Sequence, residues 1–231
     1  MKRQRLVAAI LSSLVCTGIA ADDGIFDAIP LPPGADSELV ALGLVQNGYR
    51  VSIATLEPAA TIEDTLTFYR ERWSEPVVER SGSEIPGHLE SAAGDWSIIS
   101  RIEDEYNLVV QLRQADDGIE GLLSVLELDL LEPAVAAPPL PPGSEIISTT
   151  SADDAGLAST TTLISSRARP GIVAAFYREQ LARDGWQLVS DSDDNGPTVL
   201  LLERSGARME LVSTDAQQGS LTVVNEVHTN D

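Results

Sequence analysis

Apolar positions along this chain follow two rhythms, an alternation of every second residue and a helical spacing that occurs once in each half. Between Ser37 and Gln46, Leu39, Val40, Leu42, Leu44 and Val45 predict a strand, and Tyr49, Val51 and Ile53 line one face of its return over Tyr49–Leu56. Asn47-Gly48 between them tolerates positive φ at both positions and predicts a tight hairpin turn. Ile62, Leu66, Tyr69 and Trp73 then fall at i, i+4, i+7 and i+11, one stripe of a helix that Phe68 widens. Thr61, three residues before Asp64, has the form of a capping box. Strands are predicted at about Val77–Arg80, Trp96–Ile102, Leu108–Gln114 and Leu122–Asp129, with Asp116-Asp117-Gly118 as the last turn.

The second half repeats this order. Glu145–Thr150 and Leu157–Ser165 flank Asp153-Asp154-Ala155-Gly156 as a hairpin, and Pro170 suits a first helical position. Val173, Ala174, Phe176, Tyr177 and Leu181 form the buried face, and Gly185 ends the helix. Trp186–Val189, Val199–Arg204, Arg208–Ser213 and Leu221–Val227 complete the strands. Phe68-Tyr69-Arg70-Glu71 recurs as Phe176-Tyr177-Arg178-Glu179, 108 positions on, and Leu31–Gly34 recurs as Leu140–Gly143, 109 positions on. Gly121–Val125 against Gly219–Val223 extends the match towards the ends. Two anchors held in step imply a duplication. The expected fold is therefore α+β: two tandem repeats, residues 29–132 and 138–228, each a helix packed on an antiparallel sheet in the helix-grip-like order β-β-α-β-β-β-β. A short spacer, about Pro133–Pro138, joins them. Whether the repeats share one sheet or pack face to face is left open.

The pattern Pro-Pro-Gly, Phe-Tyr-Arg-Glu-x-Leu, Gly-Trp resembles a duplicated bacterial extracytoplasmic module that carries no assigned activity. Pro142-Gly143, Phe176 to Leu181 and Gly185-Trp186 match it in full, whereas the first half has Trp73 in place of Leu181 and no Gly-Trp after its helix. The resemblance implies no catalytic residues. The order of elements is also similar to the helix-grip domains of outer-membrane assembly lipoproteins, a likeness of fold alone.

Charge and the N-terminus narrow the setting. Lys2, Arg3 and Arg5, the apolar run Leu6–Val15 and Gly18-Ile19-Ala20 read as a signal peptide over residues 1–20. That predicts a periplasmic or secreted protein without a membrane span. Processing as a lipoprotein is disfavoured because Val15 precedes Cys16. Without Lys2, Arg3 and Arg5 the remaining 12 basic residues are all Arg and face 36 acidic ones, a net charge of −24. Such a polyanion repels nucleic acid and suits a cationic protein partner or a saline habitat. Loss of Cys16 would leave no thiol for disulfides, nucleophilic catalysis or metal binding.

Candidate chemistry is sparse. The chain has no nucleophile elbow, P-loop, dinucleotide fingerprint or zinc-protease helix, and its two histidines, His88 and His228, adjoin no nucleophile turn. Arg70, Glu71, Arg178 and Glu179 recur and form a candidate partner surface, although their place opposite the buried stripe suits ordinary solvated charge. Asp191, Asp193 and Asn195 occupy positions 1, 3 and 5 of Asp-Ser-Asp-Asp-Asn-Gly, the opening of a calcium loop. An EF-hand needs Glu where Leu202 stands, so the alternative is an acidic turn or a weak Ca2+ site. The leading expectation is a non-enzymatic interaction or scaffolding protein with no cofactor, catalytic residue or assigned oligomeric state. A carboxylate-based hydrolase working from a cleft between the repeats is the enzyme alternative.

Overall fold

The computed structural model describes residues 24–78, 82–131, 136–154, 156–192 and 196–229. The predicted signal peptide with Cys16, and much of the predicted spacer, lie outside these residues. In chain order the elements are β1 (Leu39–Gln46), β2 (Tyr49–Leu56), α1 (Ile62–Arg72), β3 (Val77–Val78), β4 (Glu84–Ile85), β5 (Leu89–Ala93), β6 (Trp96–Glu103), β7 (Tyr106–Ala115) and β8 (Gly118–Leu131). They continue with β9 (Ser144–Asp154), β10 (Leu157–Ser166), α2 (Pro170–Arg183), β11 (Gln187–Ser192), β12 (Thr198–Arg204), β13 (Ala207–Ala216) and β14 (Gly219–Thr229).

The expected pair of α+β repeats is corrected by the sheet. Among the described residues, twelve strands form one hydrogen-bonded sheet in the order β11-β12-β13-β14-β10-β9-β1-β2-β8-β7-β6-β5, and β3 pairs with β4 in a separate two-stranded sheet. Strand makes up 58% of the structure and helix 15%. The architecture is thus a large, mainly antiparallel sheet carrying two helices, and not two independent helix-and-sheet layers. The physical reason lies in the strand edges. An isolated repeat would leave the outward-facing N–H and C=O groups of β1 and β9, those not directed at β2 and β10, without a strand partner, and a bare edge is a template for pairing. Here Val45 pairs with Ser151 and Gln46 with Thr150. The Asn47 backbone N–H donates to the Thr149 carbonyl at 2.8 Å, and its side-chain oxygen accepts from the Thr149 N–H at 2.9 Å.

The chain divides into two compact units, Met1–Leu42 with Ser52–Glu127, and Gly43–Val51 with Leu128–Asp231. In the first, Leu66, Tyr69 and Trp73 of the predicted stripe are buried with Leu56, Ile99, Leu108, Val110, Leu112, Leu123 and Val125. Ile62 and Phe68 pack partly exposed at the margin. A 3-10 turn at Ile25–Ala28 brings Ile25, Phe26 and the buried Ile29 onto the same core. Thr61 caps α1 as its sequence predicts: its Oγ1 accepts from the Asp64 N–H at 3.2 Å and donates to Asp64 Oδ2 at 2.7 Å.

In the second unit α2 lies on β11–β14. Val173, Ala174, Tyr177 and Leu181 are buried against Ile164, Trp186, Leu200, Leu202, Met209, Leu211 and Val224. Period-two alternation selects these strand residues: Met209, Leu211 and Ser213 of β13 are buried while Arg208 and Glu210 are exposed. Gly185, at φ 84°, ends α2 in a Schellman motif, with Trp186 N–H donating to the Leu181 carbonyl at 2.9 Å.

Both Pro-Pro-Gly openings are type II turns. Ala35 N–H donates to the Pro32 carbonyl and Ser144 N–H to the Pro141 carbonyl, with Gly34 and Gly143 both at φ 75°. Strand register amends the terminal match. Ala115 pairs with Gly118 and Ala216 with Gly219, so Gly118, and not Gly121, is the counterpart of Gly219.

Candidate functional site

The recurring Phe-Tyr-Arg-Glu segment sits on α1 and α2, and three of its four side chains serve the packing of those helices. Helical spacing aims Tyr69 and Tyr177 into the sheet, where both are fully buried. Phe68 meets Tyr69 edge-on at 5.1 Å and 83°, and Phe176 meets Tyr177 at 5.3 Å and 82°. Each ring edge therefore faces a ring face, the favourable quadrupole arrangement. Neither tyrosine hydroxyl has a hydrogen-bond partner among the described residues. Burial pushes both phenols above their ordinary range.

The arginines depart from the expected solvated charge. Arg70 donates from Nε and Nη2 to both oxygens of Glu90 on β5, at 2.8 and 3.0 Å, and from Nη1 to Glu63 at 2.6 Å. Arg178 donates from Nε and Nη2 to both oxygens of Asp191 on β11, at 2.6 and 2.8 Å. In each unit the arginine fork ties the helix to an outermost strand of the sheet. Hydrogen bonding to Arg70 holds the Glu90 carboxyl below its usual value against the opposing cost of desolvation, and Arg178 does the same for Asp191. Glu71 and Glu179 remain exposed, Glu179 in an i, i+4 pair with Arg183.

The calcium reading meets a competitor at its first residue, because Asp191 spends both carboxylate oxygens on Arg178. Asp193 and Asn195 lie outside the described residues. No cluster of three or more metal-capable side chains occurs among the described residues. The acids brought together in the first unit are Glu63 and Glu90, with Arg70 between them. His88 places Nδ1 3.2 Å from the Trp73 carbonyl and Nε2 3.6 Å from Glu90, and His228 lies 2.9 Å from Glu226.

Some contacts had no signal in the sequence. The Arg101 guanidinium donates to the Glu75 and Gly87 carbonyls at 3.1 and 3.0 Å, fixing the loop that leads to β5. Arg113 stacks over Trp96 at 4.6 Å and Arg204 over Trp186 at 4.5 Å. Those pairs join residues on different strands, or on a strand and a helix end, so no local spacing marks them.

A family model described as START domain-like matches residues 146–223. This stretch resembles a START-like domain. The match runs from within β9 through α2 to β14, about a third of the chain, and suggests a helix-grip arrangement for that segment. No curated protein matches the chain, and no solved structure does. No helix among the described residues is long and apolar enough to cross a membrane.

Proposed function

We propose that this chain is a non-enzymatic periplasmic or secreted interaction protein, a duplicated module whose acidic surface engages a cationic protein partner. One observation carries the reading: outside residues 1–20 only 12 basic residues stand against 36 acidic ones, and six of those arginines are held by carboxylates of the same chain. Arg70, Arg101, Arg113, Arg178, Arg183 and Arg204 each hold a carboxylate of the same chain. The chain carries 36 acidic residues, so what reaches solvent is a strongly negative field. Such a field steers basic partners and repels acidic ones. Filled cores beneath α1 and α2 support binding at the surface over chemistry in the interior. The like ring pairs and like arginine forks of the two units are consistent with duplication of one binding module.

The test is capture of partners from the extracytoplasmic fraction by the tagged mature chain, compared with a Glu71→Arg/Glu179→Arg variant. Both residues are exposed, so the variant is expected to fold normally. The reading predicts basic proteins retained by the wild type and weakened retention by the charge-reversed variant. Equal retention by both would reject Glu71 and Glu179 as part of the binding surface.

A further inference from the structure

One end of the second unit is polar where the same end of the first is sealed with hydrocarbon. Ser144, Ser166 and Ser220 form one row across β9, β10 and β14. Thr198, Ser213 and Thr222 form the next across β12, β13 and β14. Ser166, Thr198, Ser213, Ser220 and Thr222 are all buried. Ser213 and Thr222 satisfy each other at 2.9 Å, and the Ser166 hydroxyl accepts from the Ala168 N–H at 3.1 Å. Ser144 Oγ and Ser220 Oγ are buried with no partner among the described residues. In the first unit the register partners corresponding to Ser213 and Thr222 are Leu112 and Gly121, and Ile25, Phe26 and Ile29 cover that core.

At the Ser144 end of that row lies an open depression of ≈ 460 Å³ lined by Gly143, Ser144, Glu145, Ser165, Arg167 and Gln218. Its size falls in the range of small-molecule sites, about 300–1,000 Å³. Arg167 makes no ion pair among the described residues, unlike the arginines that hold carboxylates. Counting back two residues from the helix caps, Thr61 and Arg169, sets Arg167 where the first unit has Ala59, an alanine lying against the Gly34 turn. The cation is therefore peculiar to the second unit. A second depression of ≈ 300 Å³ includes Arg204, but that guanidinium is already engaged by Glu226 and Trp186.

We propose that the depression beside the second Pro-Pro-Gly turn binds a small zwitterion, an amino acid or short peptide carrying both a free carboxylate and a free ammonium. Arg167 receives the carboxylate, for which a guanidinium fork is the matched donor. Glu145 receives the ammonium. Ser165 and the Gln218 amide supply neutral donors and acceptors beside the two charges, the kind needed by a peptide group. The site is distinct from the acidic surface proposed above and stands whether or not that surface binds a partner.

The experiment is calorimetric titration of the mature chain with glycylglycine, beside acetate and ethylamine as single-charge controls. Arg167→Ala and Glu145→Gln are assayed in parallel, and because both residues are exposed their melting temperatures are expected to match the wild type. Saturable binding of glycylglycine, weakened about 10-fold or more by either substitution and by either control ligand, is the result expected. Acetate binding as tightly as glycylglycine, with Glu145→Gln unaffected, would overturn the zwitterion in favour of a plain anion site. Absence of saturable binding up to about 10 mM, a binding free energy of only about −3 kcal/mol, would overturn the site itself.

Discussion

Among the described residues the Tyr69 and Tyr177 hydroxyls have no hydrogen-bond partner, and that fixes what each can contribute. Removing an oxygen with no partner relieves a desolvation penalty, whereas removing the ring opens a cavity. Tyr69→Phe and Tyr177→Phe are therefore expected to be neutral or stabilising by up to about 1 kcal/mol in urea denaturation, while Tyr177→Ala costs about 3–5 kcal/mol. The raised phenol also has an alkaline signature. Stability is intact below the unfolded value of 10.0 and falls as pH rises above it, and each Phe variant should flatten that fall. Asp191 and Glu90 behave in the opposite sense. Their depressed carboxyls stabilise the fold above the ordinary values of 3.8 and 4.5, and the contribution disappears as pH falls through the folded-state values. Thermal midpoints measured from neutral pH into the acid range should decline less steeply in Arg70→Ala and Arg178→Ala than in the wild type. The tyrosines were legible in the sequence as stripe residues. The arginine forks were not, because position on the outward helix face says nothing about which strand lies within reach.

Among the elements, the glycines separate two kinds of constraint. A Cβ at Gly121 would stand 2.5 Å from the Leu56 carbonyl oxygen and 3.0 Å from Leu56 Cβ, both in the packed interior. Gly121→Ala should cost about 1–3 kcal/mol, since backbone has to move to admit it. A Cβ at Gly171, in the first turn of α2, meets nothing within 4 Å, and Gly171→Ala should stabilise by about 0.4–1 kcal/mol through the unfolded chain. Chemical denaturation of the two variants checks both signs. Hairpins and helices could be read because their determinants are local: Asn47-Gly48, the Thr61 cap, Pro170 and Gly185. β5 carries no local strand signal, because Leu89-Glu90-Ser91-Ala92-Ala93 lacks the β-branched and aromatic residues that mark strands, and it forms through pairing with β6. β4 is only two residues long and shows no period at all.

At the scale of the whole molecule, the sequence left open whether the two halves shared a sheet, and the pairing of Val45 with Ser151 and Gln46 with Thr150 decided it. No local pattern encodes a contact between positions so far apart. The net charge is legible in the sequence, but its distribution is not: six of the twelve arginines outside residues 1–20 are bound to carboxylates, and no local spacing marks pairs such as Arg70 with Glu90 or Arg178 with Asp191. The proposed surface therefore attracts its partner chiefly by electrostatics. Its most direct test is the salt dependence of partner retention by the mature chain. Retention at low ionic strength is expected to fall by an order of magnitude or more at about 0.5 M salt, where screening acts over only a few ångströms. Retention indifferent to salt would contradict the acidic surface as the binding element.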